Sequence, residues 1–315
     1  MTHAILLALA PVFFVLALGY GAGKWRVANN RQIDALNALV MDFALPASLF
    51  VAMATASRSE MVAQAPLFAI FGVVMLVVWL ISFVFRRRVA KIGTADAALQ
   101  ALTIAYPNLA GVGLPIVSAV LGPEGVVPIA LALAAGSIVV TPISLILVEM
   151  STAQAQTSQS TTTRVLTALR HAVTKPVVIA PALGILLSLS GLQLNSVVES
   201  SLMLIGRTAA GVALFLTGLI LSAQAFRMDG KVLTATAMAD VIRPLLTAAL
   251  VACLSLPSET AKTAILLAAI PSGFFGILFA VNYKQDSATA GSMVLASTVF
   301  SIVTLAIAIA MLFPD

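Results

Sequence analysis

Ten runs of mainly apolar residues divide this chain of 315 residues, most of them near the roughly 20 residues a helix needs to cross a bilayer. They lie at Ile5–Tyr20, Ile33–Ala54, Val62–Phe85, Ala95–Leu121, Val126–Leu147, Pro176–Leu189, Ser200–Leu221, Leu233–Leu256, Thr263–Val281 and Ala288–Phe313. No soluble core hides that much apolar surface. Apolar residues make up 61% of the chain and charged ones 9%, where a soluble domain carries about a quarter charged. Lipid offers the backbone no hydrogen bonds, so only helices and closed barrels span it. The runs are too long for barrel strands. The expectation is an all-α integral membrane protein with ten transmembrane helices and only short loops.

Charge placement gives an independent check. Lys24, Arg26 and Arg31 follow the first run; Arg86, Arg87, Arg88 and Lys91 follow the third; Arg164, Arg170 and Lys175 the fifth; Arg227 and Lys231 the seventh; Lys284 the ninth. The intervening loops hold only Arg58 and Lys262. The excess of cations on cytoplasmic loops places the odd-numbered loops inside and both termini outside. The net charge of +5 is therefore loop charge and not a nucleic-acid surface. No cation precedes the first run, which is the reverse of a cleaved signal peptide, so that run is read as a retained helix.

Several chemistries lack their parts. Cys253 is the sole cysteine and sits in an apolar run; the two histidines are His3 near the N-terminus and His171 in a loop. Neither a cysteine metal cluster nor a Ser-His catalytic set can be assembled, and no phosphate-binding Gly-x-x-x-x-Gly-Lys-Ser/Thr loop occurs. The chain reads as no enzyme, with no cofactor beyond a coupling proton or sodium ion.

Ser151 to Thr163 contains only Ser, Thr, Ala and Gln, a flexible linker composition. Across it, short matches recur at one offset. Ala17-Leu18-Gly19 and Ala182-Leu183-Gly184 are 165 residues apart, as are Leu49-Phe50 and Leu214-Phe215; Pro107 and Pro271 are 164 apart. The domain reading is a first five-helix repeat at 1–150, a cytoplasmic linker at 151–175 and a second repeat at 176–315. Five is odd, so the second repeat enters the membrane from the opposite side. Inverted repeats of this kind recur in secondary transporters.

Two runs are interrupted. The fourth contains Tyr106-Pro107-Asn108-Leu109-Ala110-Gly111-Val112-Gly113-Leu114-Pro115, and the ninth Ile270-Pro271-Ser272-Gly273-Phe274-Phe275-Gly276. Proline and glycine break a helix in any solvent, and paired breaks at matching positions point to a transporter's binding site. Each restarted helix offers unpaired N–H groups and a positive dipole end, which suits a carboxylate. Asn108 and Ser272 follow the prolines and can add hydrogen bonds or cap a half-helix; Gly111, Gly113 and Gly273 let a ligand approach the backbone. Phe274 is read either as flanking a substrate or as packing.

Asp42, Arg207, Asp240 and Arg243 fall inside apolar runs, where charges are costly and normally face protein or water. Asp42 and Arg207 are 165 residues apart, at matching repeat positions. They read as a proton or cation carrier and a partner for a second substrate carboxylate, or else as a static ion pair between helices. Asp240 and Arg243, three apart on one helix face, read as a structural pair.

Val40-Met41-Asp42-Phe43-Ala44-Leu45-Pro46-Ala47, Pro107-Asn108 through Gly113-Leu114-Pro115, and Ser272-Gly273-Phe274-Phe275-Gly276 resemble the auxin efflux carrier family. Within it they are most similar to bacterial malonate transporters. That resemblance implies a homodimer in the bacterial inner membrane. Spans one, two, six and seven would form a scaffold, and spans three to five and eight to ten an elevator-type transport domain. A small organic anion would sit where spans four and nine cross, at Pro107, Asn108, Gly111, Gly113, Pro271, Ser272, Gly273 and Phe274. An auxin-like monocarboxylate exporter, a sodium/proton antiporter of related fold and an ion channel are the alternatives. The antiporter is disfavoured because no adjacent acidic or Asn-Asp residues lie in mid-span.

Overall fold

The computed structural model describes residues 2–28, 30–63, 65–153, 166–167, 170, 174–223 and 228–313. Most of the linker lies outside the described residues, as do Gln64, Arg164, His171 and Arg227. Among the described residues the chain is helical, with no strand. Helix covers each of the ten apolar runs, and among the described residues six helices are long and apolar enough to cross a membrane: Gln32–Thr55, Ala65–Arg88, Val127–Thr152, Ser196–Ser222, Gly230–Leu254 and Ser287–Leu312. Ala65–Arg88, with 24 residues, rises about 36 Å at 1.5 Å per residue, enough for a hydrocarbon layer about 30 Å thick. The apolar helix Pro176–Ser190 is shorter. The fourth and ninth runs are broken in their middles.

In chain order the helices are α1 (Thr2–Lys24), α2 (Asn30–Ala38), α3 (Leu45–Thr55), α4 (Arg58–Ala63), α5 (Ala65–Arg88), α6 (Thr94–Ala105), α7 (Leu114–Leu121) and α8 (Val126–Ala153). Beyond the linker come α9 (Pro176–Ser190), α10 (Ser196–Gly206), α11 (Ala209–Ser222), α12 (Gly230–Ala237), α13 (Arg243–Leu254), α14 (Ser258–Ala269), α15 (Phe275–Asn282) and α16 (Ser287–Leu312). The seventh span starts earlier than its apolar run because Asn195 caps α10, accepting the Val197 N–H at 2.9 Å.

Besides the π turn Leu109–Gly113 in the broken fourth span, two further spans contain a wide turn with a common cause. Leu39–Ala44 joins α2 to α3 as a π turn, and Met238–Ile242 joins α12 to α13. Pro46 and Pro244 stand just beyond them. Proline has no N–H to give the carbonyl four residues back, which here belongs to Asp42 and to Asp240. The ladder resumes with five-residue bonds, Leu45 N–H to the Val40 carbonyl and Arg243 N–H to the Met238 carbonyl. Such bulges inside helices often mark functional sites.

Packing follows a reciprocal pattern. α1 lies along α11, and α9 along α3. At the first contact a side chain on Gly19 would strike the Phe215 carbonyl; at the second, a Cβ on Gly184 would fall 2.6 Å from the Phe50 carbonyl. Small residues allow this close approach of membrane helices. Elsewhere α5 packs on α6 and α8, and α16 on α12 and α14. Large apolar side chains such as Phe14, Leu80, Leu245 and Ile307 are exposed, as expected of a surface facing lipid.

Candidate functional site

The two breaks meet. The residue before a proline is driven out of the α region, and both such residues obey: Tyr106 ends α6 at φ −96°, ψ 108°, and Ile270 ends α14 at φ −62°, ψ 136°. The extended segments lie antiparallel, with Pro107 opposite Ser272. Asn108 N–H donates to the Pro271 carbonyl at 2.8 Å, and Gly273 N–H donates to the Tyr106 carbonyl at 2.7 Å. A Cβ on Gly273 would sit 2.5 Å from the Tyr106 oxygen and 3.0 Å from that of Pro107. Only glycine permits this contact, so Gly273 makes room for the opposing chain.

Two polar side chains are buried at the crossing with unused hydrogen-bonding capacity. Asn108 Oδ1 accepts the Gly111 N–H at 3.0 Å, and the Asn108 carbonyl accepts the N–H groups of Val112 and Gly113 at 3.0 and 2.9 Å. Asn108 thereby caps the turn leading to α7, while its Nδ2 has no protein partner. Ser272 is fully buried, and its Oγ also has none. Buried polar groups left unpaired cost about 1–3 kcal/mol each, and such groups in a native fold call for an explanation. A donor amide and a hydroxyl are suitable partners for a carboxylate oxygen.

Behind Ser272 a short chain of hydrogen bonds reaches a buried acid. Ser272 N–H donates to Ser297 Oγ at 2.8 Å, and the Ser297 hydroxyl donates to Asp240 Oδ1 at 2.6 Å. Asp240 Oδ2 is buried without a partner. Asp240 and Arg243 lie within reach of each other's charge but share no hydrogen bond. Arg243 is fully buried. Its Nε donates to the Ala268 carbonyl at 2.9 Å, one terminal nitrogen to that of Ile104 at 2.7 Å, and the other to that of Ile270. One guanidinium thus closes the C-terminal ends of both α6 and α14, where carbonyls are left over and the dipole is negative.

The remaining candidates are distributed as follows. Phe274 is buried in a stack, 5.6 Å from Phe275, which lies 4.3 Å from Tyr106. Tyr106 in turn donates its hydroxyl to the Leu133 carbonyl at 2.6 Å. A Cβ on Gly111 would press on the Asn108 side chain, and one on Gly113 on that of Ile270, so these glycines too face protein. Asp42 and Arg207 are both exposed, and no ion pair joins them. Ser297, the hydroxyl contact of Tyr106 and the capping role of Arg243 are not legible in the sequence. A serine in an apolar run was the only local sign of Ser297.

These features define a class: a multi-pass helical membrane protein whose two interrupted helices meet at buried, unpaired polar groups. The chain belongs to the membrane transport protein family, whose model matches residues 4–309, and this is the auxin efflux carrier family that the motifs resemble. It is 29% identical over 300 residues to the uncharacterized transporter YfdV of Escherichia coli K12, covering 94% of each chain. It matches the proteins of the same name from Escherichia coli O157:H7 and Shigella flexneri to the same extent. The chain is a membrane transporter.

Proposed function

We propose that this transporter is a secondary carrier of small organic anions, malonate or a related carboxylate, and that it holds the carboxylate where the fourth and ninth spans cross. The observation that carries the reading is the pair of unpaired groups at that crossing, Asn108 Nδ2 and Ser272 Oγ. Arg243 adds a fixed positive charge behind them, and the α15 start has no side-chain cap, leaving its N–H groups for an anion. Asp240, one hydroxyl away from Ser272, is the group through which a proton or sodium ion couples to binding. Asp42, exposed, is a secondary candidate for that role, and Arg207, also exposed, for a partner of a second substrate carboxylate.

Alternating access by an elevator motion of spans three to five and eight to ten against spans one, two, six and seven fits the reciprocal packing. Gly19 against Phe215 and Gly184 against Phe50 are one contact repeated by a two-fold relation, because each residue lies 165 positions from its counterpart. Two inverted five-helix repeats at 1–150 and 176–315 have this property. The cation distribution orients both termini outside, in a bacterial inner membrane, and the scaffold spans join two protomers.

Labelled malonate uptake into proteoliposomes under an imposed proton gradient tests the assignment, with Asn108→Ala as control. Gradient-driven uptake in the native chain that Asn108→Ala abolishes supports both substrate and site. Folded protein that neither accumulates malonate nor shows competition by it overturns the malonate assignment.

A further inference from the structure

A second place in the fold carries buried, unpaired polar groups, and it lies away from the crossing. Arg86, in the last turn of α5, is 1% exposed, and only one of its nitrogens is engaged, Nη2 donating to the Lys231 carbonyl at 2.7 Å. Nε and Nη1 have no partner, nor does Ser82 Oγ one turn earlier. Both side chains line a cavity of about 220 Å³ between α5 and α12, whose other walls include Ile81, Phe85, Ala237 and Met238. Asp229 is the acid whose charge reaches Arg86. Its carboxylate is engaged in capping α12, accepting from Lys231 and Val232 N–H at 3.0 and 2.9 Å, and it forms no ion pair with the guanidinium. Nη1 alone keeps two N–H donors without an acceptor, a set that suits a phosphate oxygen.

The shape of the cavity selects among anions. Polar groups stand at the end of α5, at membrane-surface depth, and the walls below them are apolar. Ile81, Phe85 and Ala237 are exposed on the outer surface of the chain, so the cavity opens sideways between two helices. Arg87, Arg88 and Lys91 extend the positive charge at the same end. Basic pockets between membrane helices are a known form of phospholipid headgroup site.

We propose that this groove seats one anionic phospholipid, a phosphate oxygen on Nη1 of Arg86 and an acyl chain along Ile81, Phe85 and Met238. The site does not depend on the transported substrate; the proposed orientation only sets the leaflet as the cytoplasmic one.

Native mass spectrometry of the delipidated full chain, titrated with phosphatidylglycerol and with phosphatidylcholine of the same acyl chains, tests it without reference to transport. Phosphatidylglycerol is expected to be retained in preference. Arg86→Gln weakens its binding about tenfold or more, the loss of one charge-assisted contact, whereas Arg88→Gln leaves it within about twofold, as befits a solvated surface cation. Ala237→Trp, which fills the groove without touching Arg86, lowers retention as well and decides the matter if Arg86→Gln does not fold. Unchanged phosphatidylglycerol binding in Ala237→Trp, or in folded Arg86→Gln, overturns the proposal. So does displacement of the lipid by millimolar glycerol phosphate, which would make this a site for soluble anions.

Discussion

Asn108 does two things with one amide, and they can be separated. Its oxygen holds the Gly111 N–H at 3.0 Å, while its nitrogen is free. Asn108→Asp keeps the first and replaces the second by a negative oxygen, so the protein is expected to stay folded and to lose anion uptake. Ser272→Ala removes a hydroxyl with no protein partner, which is expected to leave thermal stability unchanged or slightly raised while uptake falls. If uptake survives both changes, the crossing is not the binding site. Arg243 behaves in the opposite way. Arg243→Met leaves three carbonyls without their donor and is expected to cost at least about 3 kcal/mol, read as a lowered melting temperature in detergent. Arg243→Lys does not restore it, because one ammonium cannot copy a planar fork. Asn108 and Ser272 were legible in the sequence because they sit beside the prolines that break their helices. The work of Arg243 was not: its acceptors lie 25, 27 and 139 residues away. Spacing pairs it with Asp240, whose charge does reach it, but the hydrogen bonds of the guanidinium go to those distant carbonyls.

At the level of elements, local chemistry was a good guide. Apolar runs located the helices, and Tyr106-Pro107 and Ile270-Pro271 located both interruptions, because a proline restricts its own neighbours whatever the tertiary fold. The π turns were missed, although Asp42 and Asp240 each stand four residues before a proline, and that spacing is a usable signal. Seams between helices are set by glycine. Gly184→Ile and Gly19→Ile each insert a side chain into a backbone carbonyl of the facing helix. Each is expected to lower stability by about 1–3 kcal/mol, the two by similar amounts if the contacts are related by the repeat. Thermal unfolding of the two variants measures this, and a silent Gly184→Ile would mean that α9 and α3 are not in tight contact.

For the whole molecule, the proposed orientation rests on charge counting and is open to a direct check, since Cys253 is the single cysteine. In a Cys253→Ser background, Arg88→Cys is expected to react with a membrane-impermeant maleimide only in inside-out vesicles, and Arg58→Cys only in right-side-out ones. Labelling of both from one side would refute the orientation. How the spans embrace one another was beyond the sequence, because it depends on contacts across more than a hundred residues, such as Asn37 Nδ2 with the Leu278 carbonyl. The crossing itself has a mechanical meaning. Two backbone hydrogen bonds and one shared guanidinium fasten the breaks to each other, so neither helix can straighten without tearing the other open. It is a rivet and not a hinge: under the proposed alternating access the half-helices are expected to move together, with flexing at seams farther out.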